Sequence, residues 1–175
     1  MAKSRALMMF ESERLWLRPT TQEDAEFILQ VFNSPGALRF IGDRNLHSRE
    51  DSLKFLEART LKQLEERGHG TYTVVEKSQG EKVGVCGVYY RPGLERPDLG
   101  YALLPAHEGK GYAREASLCL MEVCPTAFGI TELAAITHPE NARSGSLLKK
   151  LGFQYVDERT IEGMGGSSHY YEIDL

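Results

Sequence analysis

The sequence predicts one α+β (α/β) domain in which six to seven strands are flanked by about four helices. Runs of alternating or β-branched residues indicate the strands, and capped segments with apolar residues at helical spacing indicate the helices. The length of 175 residues fits one domain, long enough to bury about two thirds of the unfolded surface. We expect an N-terminal tail at 1–12 and a single domain at 13–175.

The first part of the chain predicts one strand followed by two helices. Polar and apolar residues alternate over 14–18, as in a half-buried strand. Thr21 and Asp24 have the spacing of a capping box, so a helix is expected from there until Pro35 stops it. Ser48 begins a second helix that ends just before a glycine.

The rest of the chain predicts strands interrupted by two helices. One helix follows a Gly-rich turn and ends or kinks at Pro125, which cannot donate a backbone hydrogen bond, and the other begins at Asn141. A Gly-rich loop at 163–168 separates the last two strands. The six expected strands lie at 71–75, 82–90, 98–104, 133–137, 153–159 and 169–175.

Composition and charge exclude several classes of function. The net charge is −4 with both signs interspersed, so we expect no nucleic-acid partner and no membrane surface. Cys86, Cys119 and Cys124 are odd in number and lack metal-ligand spacing, which predicts buried thiols and no metal. The apolar run at 6–10 is too short for a signal segment. We therefore expect a cytoplasmic monomer or homodimer.

The motif Glu108-Gly109-Lys110-Gly111-Tyr112-Ala113 stands directly before a predicted helix. Glycines let the backbone approach a ligand, and a helix N-terminus directs free N–H groups at an anion. Gly111 replaces the hydroxyl residue that a P-loop needs, and Arg114 replaces the third glycine of a dinucleotide fold. What remains is a different phosphate site, or a tight turn that only begins a helix.

The order of the elements and several motifs resemble the GNAT superfamily of N-acetyltransferases. The Gly-rich motif at 108–113 resembles its acetyl-CoA motif, and Asn141-x-x-Ser144 with Leu151-Gly152-Phe153 follows downstream. The segments at 13–19, 40–42 and 99–101 are similar to the branch of ribosomal-protein N-terminal (Rim-type) acetyltransferases. The resemblance implies a mixed, mostly antiparallel sheet in which the strand at 99–104 opens away from the one at 133–137.

The resemblance implies transfer of an acetyl group from acetyl-CoA to a primary amine, by direct attack in a ternary complex. The acceptor is a protein N-terminus or a small-molecule amine. A non-catalytic acyl-CoA-binding or regulatory domain is the alternative, since Glu108 replaces the usual Gln or Arg and Leu148 stands where many members have Tyr. The implied cofactor-binding residues are Leu103, Glu108, Gly109, Lys110, Gly111, Tyr112, Ala113, Arg114, Asn141 and Ser144.

A carboxylate beside a pyrophosphate is unfavourable unless Glu108 points away, caps the helix, or is offset by Lys110 and Arg114. The resemblance places Ser144 beside the CoA sulfur, and Tyr101 either contacts the cofactor or only packs.

An ammonium acceptor must lose a proton before it attacks. Asp98, Glu95 and Glu76 are candidate bases because they lie near the cleft strands, and we prefer Asp98. His107 and His138 flank loops near the expected cofactor site.

By resemblance, the acceptor pocket involves the first helices and their connection. Arg39 and Arg44 there favour an acceptor with a carboxylate or phosphate, whereas Asp43 favours an amine. The expected pocket residues are Arg39, Phe40, Gly42, Asp43, Arg44 and His47.

Overall fold

One sheet runs through residues 7–175, the part of the chain that this computed structural model describes. Its eight strands follow the spatial order β1-β2-β3-β4-β5-β6-β8-β7. The strands are β1 Phe10–Glu11, β2 Leu15–Pro19, β3 Thr71–Glu76, β4 Lys82–Tyr89, β5 Asp98–Leu103, β6 Glu132–Thr137, β7 Gln154–Thr160 and β8 Ser167–Asp174.

Six α-helical segments in the described residues cover both faces of the sheet. Segments α3 and α4 form one continuous helix, because a π-helical stretch at Leu56–Leu61 joins them. A second π-helical turn, Cys124–Phe128, follows α5 and contains Pro125, so the expected helix end there is confirmed. The segments are α1 Ala25–Phe32, α2 Pro35–Phe40, α3 Arg49–Phe55, α4 Lys62–Arg67, α5 Tyr112–Val123 and α6 Ala142–Lys150.

The predicted fold class is confirmed, with two local differences. The strands number eight instead of six to seven, because Phe10–Glu11 pairs with β2 although it falls inside the segment expected to be a tail. Residues 1–6 of that segment lie outside the described residues. Pro35 ends one helix as expected, but it also begins α2, because Ser34 caps this helix and proline fits its first position.

Two antiparallel halves of the sheet meet at a single place. Strands β1 to β5 form one half, and β6, β8 and β7 form the other. Strands β5 and β6 are parallel and pair only at Asp98 and Ala134, where the Ala134 amide donates to the Pro97 carbonyl at 2.8 Å. Beyond that point the two strands diverge, which confirms the expected opening.

Each face of the sheet has its own apolar core. Cys86 and Val88 of β4 pack with α5 on one face, while Val85 between them packs with α1 on the other. This alternation is the period-2 pattern of a strand buried on both faces. The helices therefore hold β4 and β5 firmly while the opening beside β5 stays uncovered by sheet.

Helices that could cross a membrane are not found within residues 7–175.

Asp24 is a fully buried carboxylate that joins the first strand, the first helix and the central sheet. Arg18 of β2 donates two hydrogen bonds of 2.7 Å to it, and the Lys82 ammonium of β4 lies at 2.8 Å. Thr73 and the Thr21 amide donate as well. Burial alone would raise the pKa of Asp24, but the hydrogen bonds from Arg18 and Lys82 outweigh it and lower that pKa far below 3.8.

We predict that Asp24→Asn lowers the free energy of unfolding by about 2–4 kcal/mol at pH 7, because two partly buried cations lose their partner. A depressed carboxyl pKa stabilises the fold above the ordinary value of 3.8 and ceases to do so as pH falls toward the folded value. The difference from wild type should therefore shrink below about pH 4. Urea unfolding at several pH values measures it.

The matched control is Asp157→Asn, which removes an exposed carboxylate paired with Arg159. We expect little change from it. Equal destabilisation by the two substitutions would contradict a special role for Asp24.

Candidate active site

The opening between β5 and β6 leads into a cleft of about 1290 Å³. One end is formed by the Gly-rich turn and the first turns of α5 and α6. The other end is formed by α1, α2, the continuous helix α3–α4 and the loop after β4. A single cleft thus connects the predicted cofactor site with the predicted acceptor region.

The Gly-rich turn has a backbone that favours glycine. Gly109 and Gly111 have φ values of +76° and +83°, in the left-handed region, and α5 begins directly afterwards. A Cβ on Gly111 would lie 3.3 Å from a guanidinium nitrogen of Arg14. The conformation therefore leaves the N-terminal amides of α5 open toward the cleft.

Arg14 holds this turn, a role that the sequence reasoning missed. Its guanidinium donates to the Lys110 carbonyl at 3.0 Å and to Glu115 of α5 at 2.7 Å, and it lies over the Tyr112 ring at 4.8 Å. Its position inside the 13–19 motif was the available signal. The first turn of α5 is thereby tied to the start of β2.

Glu108 is neutralised by a residue that was not anticipated. Its carboxylate accepts a hydrogen bond of 2.9 Å from Arg143 of α6, rather than relying on Lys110 or Arg114. Both partners are largely exposed at the mouth of the cleft. The negative charge that departs from the family motif is therefore directed at a cation across the cleft.

The remaining predicted cofactor residues are divided between the cleft and the surface. Tyr112, Ala113 and Arg114 line the cleft, whereas Lys110 is exposed and outside the lining. Asn141 caps α6, since its side chain accepts from the Ser144 amide at 3.2 Å.

Leu103 is placed with its amide toward the opening. The next residue, Leu104, donates its amide to Val83 of β4 at 2.9 Å, and amides alternate sides along an antiparallel strand. The Leu103 amide thus faces the side on which β6 has diverged.

Two predicted catalytic residues are brought together in the opening. The Tyr101 hydroxyl on β5 lies 2.9 Å from the Ser144 hydroxyl on α6, and both side chains are partly buried. Burial raises the pKa of Tyr101 above 10.0, so its phenol stays protonated near neutral pH. The structure therefore supplies a tyrosine hydroxyl from β5, while Leu148 is buried in the core.

The three candidate bases have different surroundings. Asp98 lines the cleft, is 1% exposed, and accepts from the Arg91 Nε with both oxygens at 2.9 Å. Burial raises the pKa of Asp98, and Arg91 opposes that rise. Glu76 instead binds Ser78 in the β3–β4 turn, and Glu95 is exposed; neither lines the cleft. The expected proximity of these two to the cleft is thus not found.

The predicted acceptor residues are only partly at the cleft. Phe40 and Arg44 line it. Arg39 lies outside the lining, with its guanidinium over the Phe40 ring and 4.0 Å from Glu140. Asp43 is also outside, because its carboxylate accepts from the Asn45 amide within its own loop.

Gly42 and His47 do not line the cleft either. His138 does, with its ring against Phe40, whereas His107 lies against Tyr112 outside the lining.

Burial is the main feature of the three cysteines. It raises the pKa of Cys86 to about 12, that of Cys119 to about 11 and that of Cys124 to about 12. All three are free thiols. Among the described residues, no group of three or more His, Cys, Asp or Glu side chains is arranged to hold a metal ion.

A helix N-terminus that opens on a gap between two strands, with paired hydroxyls in the gap, defines an acyltransferase site for a thioester of a phosphate-bearing carrier. The family described as the acetyltransferase (GNAT) domain matches residues 14–154. The chain belongs to this family and is an acyltransferase.

Curated relatives span most of the chain. An uncharacterized N-acetyltransferase of Bacillus subtilis, YoaA, is 28% identical over 147 residues, which cover 83% of this chain and 82% of that protein. The spermidine N(1)-acetyltransferase of Escherichia coli is 24% identical over 143 residues, covering 81% and 74%.

Solved structures share the whole fold. An acetyltransferase from Agrobacterium tumefaciens has a TM-score of 0.82 at 22% identity and covers 100% of this chain and 99% of its own. RimL, a ribosomal-protein alpha-N-acetyltransferase solved in complex with coenzyme A, has a TM-score of 0.78 at 17% identity, covering 96% and 98%. The Rim-type resemblance is thus supported at the level of the fold.

We predict that Gly111→Ala weakens CoA binding about tenfold, because a left-handed alanine costs about 1–2 kcal/mol and would displace the turn or Arg14. Isothermal titration with CoA measures the affinity. Gly80→Ala is the control, since Gly80 has a similar φ of +71°, has no atom within 4 Å of where the added methyl group would lie, and sits in the β3–β4 turn away from the cleft. Equal CoA affinity in both variants would contradict the site.

Proposed function

We propose that this chain is an N-acetyltransferase that transfers the acetyl group of acetyl-CoA to a primary amine by direct attack in a ternary complex. The observation that carries the proposal is the Tyr101–Ser144 hydroxyl pair, which lies in the strand opening and in the same cleft as the Gly-rich turn. Anion binding and acyl chemistry therefore share one cavity.

The cofactor is proposed to bind along the opening. The amides at the start of α5, from Gly109 to Arg114, would hold the pyrophosphate, with the positive end of the helix dipole behind them. The free edge of β5 would bond the pantetheine arm. The Leu103 amide faces the opening and is the proposed donor to the thioester carbonyl.

The reaction requires a neutral amine and a protonated leaving group. The amine forms the new N–C bond, the C–S bond breaks, and the CoA thiolate takes a proton. Tyr101 is protonated near neutral pH and contacts Ser144, so the pair is the proposed proton source for a thiolate whose conjugate thiol has a pKa near about 8.5.

Asp98 is the proposed acceptor of the amine's proton, directly or through water. Of the three carboxylates considered from the sequence, it alone lines the cleft. Its raised pKa makes it a stronger base than an ordinary aspartate, while Arg91 keeps it ionised.

The acceptor's identity is open between a protein N-terminus and a small amine. The relatives' names include both a ribosomal-protein acetyltransferase and a spermidine acetyltransferase. A direct test follows free thiol release from acetyl-CoA with a panel of peptides, amino acids, amino sugars and polyamines. Stabilisation by CoA without thiol release from any acceptor would favour a non-catalytic acyl-CoA-binding domain.

We predict that Tyr101→Phe and Ser144→Ala each lower kcat about 10- to 100-fold, because each removes one hydroxyl of the proton-donating pair. The KM for acetyl-CoA should change little. The double variant should be little slower than the worse single one, since the two groups act as a unit. Steady-state kinetics measure all three.

The control for that pair is Tyr155→Phe, which removes the hydroxyl of an exposed tyrosine on β7. A normal kcat in both Tyr101→Phe and Ser144→Ala would refute the assigned role.

We predict that Cys86→Ala keeps kcat within about threefold of wild type, because a buried thiol with a pKa of about 12 is not a nucleophile at neutral pH. Mass spectrometry after incubation with acetyl-CoA alone should show no acetyl-enzyme. Complete inactivity in a folded Cys86→Ala protein would rule out direct attack.

A further inference from the structure

The cleft continues beyond Tyr101 into a compartment that the cofactor residues do not form. This acceptor compartment lies between α1, the continuous helix α3–α4 and the loop that follows β4. Its walls are unusually rich in guanidinium groups for an apolar pocket. The residues used below are Phe32, Arg44, Phe55, Arg59, Gln63 and Arg91.

Arg44 is buried in this compartment without a partner for part of its side chain. Its Nε is inaccessible to solvent, yet among residues 7–175 no atom accepts a hydrogen bond from it. No carboxylate of the described residues lies within ion-pair distance of Arg44. The nearest favourable contact is with the Phe32 ring, whose centroid is 5.9 Å away. A buried donor without an acceptor is unfavourable in the protein alone.

The loop that carries Arg44 is shaped by its neighbours. Asn45 has a φ of +55°, a left-handed conformation that asparagine tolerates, and its amide donates to Asp43 at 2.7 Å. Asn33 holds the next residue by donating to the Leu46 carbonyl at 2.8 Å. Asp43 therefore supports the loop that directs Arg44 into the cleft, instead of contacting an acceptor itself.

Neighbouring cations make the position of Arg44 still less favourable. Burial lowers the pKa of Arg44, and the positive charges of Arg91 and Arg59 lower it further. Arg59 comes from the π-helical stretch and is otherwise placed over the Phe55 ring at 5.9 Å. Three guanidinium groups thus converge on one compartment.

Acidic side chains that line the same compartment do not compensate Arg44. Asp98 is held by Arg91, and Glu66 lies 4.0 Å from the Lys62 ammonium on the same helix. Glu162 is exposed in the loop before β8. The positive charge at Arg44 is left for a ligand to neutralise.

We propose that the acceptor amine also carries an anionic group, a carboxylate or a phosphate, and that Arg44 binds it. The proposal rests on the acetyl transfer proposed above and names the class of acceptor. A guanidinium binds either anion through charge-assisted hydrogen bonds, and a buried one gains most from the contact. A polycation such as spermidine would meet like charges at the same place and is disfavoured.

The test uses matched amines that differ in one charged group. Amino acids are compared with their decarboxylated amines, O-phosphoethanolamine is compared with ethanolamine, and spermidine is included. Thiol release from acetyl-CoA gives kcat/KM for each. We expect the anionic member of at least one matched pair to be preferred about tenfold or more, and that pair distinguishes a carboxylate from a phosphate.

Arg44→Met should lower kcat/KM for the preferred anionic amine about 10- to 100-fold, mainly through KM, and leave its neutral counterpart unchanged. Arg44→Lys should restore part of the preference. Stabilisation by CoA should be normal in both variants, which shows that they fold. Arg49→Met is the control, because Arg49 is exposed at the start of α3 and outside the cleft lining.

Two failures are distinguishable. Turnover with neutral or cationic amines in preference to anionic ones, or an equal loss for both in Arg44→Met, would overturn the anionic acceptor and leave acetyl transfer intact. If no amine is acetylated, acetyl transfer fails, and thermal shift decides this inference alone. Stabilisation by the same anionic amines that is lost in Arg44→Met supports an anion site, and its absence in wild type overturns it.

Discussion

The active-site cleft depends on a single parallel pairing between two strands. Asp98 and Ala134 pair where β5 and β6 meet, and the strands diverge from there. Each is held by its other neighbour, since β5 pairs with β4 from Gly84–Leu103 to Tyr89–Asp98 and β6 pairs with β8 along its length. Closing the gap would require one of these ladders to break, so the opening is built into the sheet.

The same pivot connects the sheet to the chemistry. Asp98 is the first residue of β5 and is held by Arg91 from the loop after β4, so the base candidate and the start of the opening share one position. Tyr101 follows three residues later and reaches Ser144 across the gap. A change in the β5–β6 pairing would therefore move the base candidate and the hydroxyl pair together.

Charge divides the cleft into two ends. At the mouth, Glu108 and Arg143 neutralise each other, and Arg14 positions the Gly-rich turn through a backbone carbonyl and Glu115. At the far end, the guanidinium of Arg44 is buried without a counter-charge. The cofactor end thus relies on backbone amides, whereas the acceptor end presents side-chain cations.

The sequence by itself determined the features that depend on near neighbours in the chain. The caps at Ser48 and Asn141, the glycine turn before α5 and most strand positions follow from local hydrogen bonding and side-chain period, so they were predictable. Residues 10–11 were not, because two residues carry no period and pair only once β2 is in place.

Only the tertiary structure decided which charges and hydroxyls meet. Glu108 and Arg143 are 35 residues apart, and Tyr101 and Ser144 are 43 apart, so no local pattern predicts either contact. The same holds for Asp43, which has the composition of an amine-binding residue but is used to shape the Arg44 loop. Contacts of this kind are set by strand register and helix packing, which bring distant side chains together after the local elements have formed.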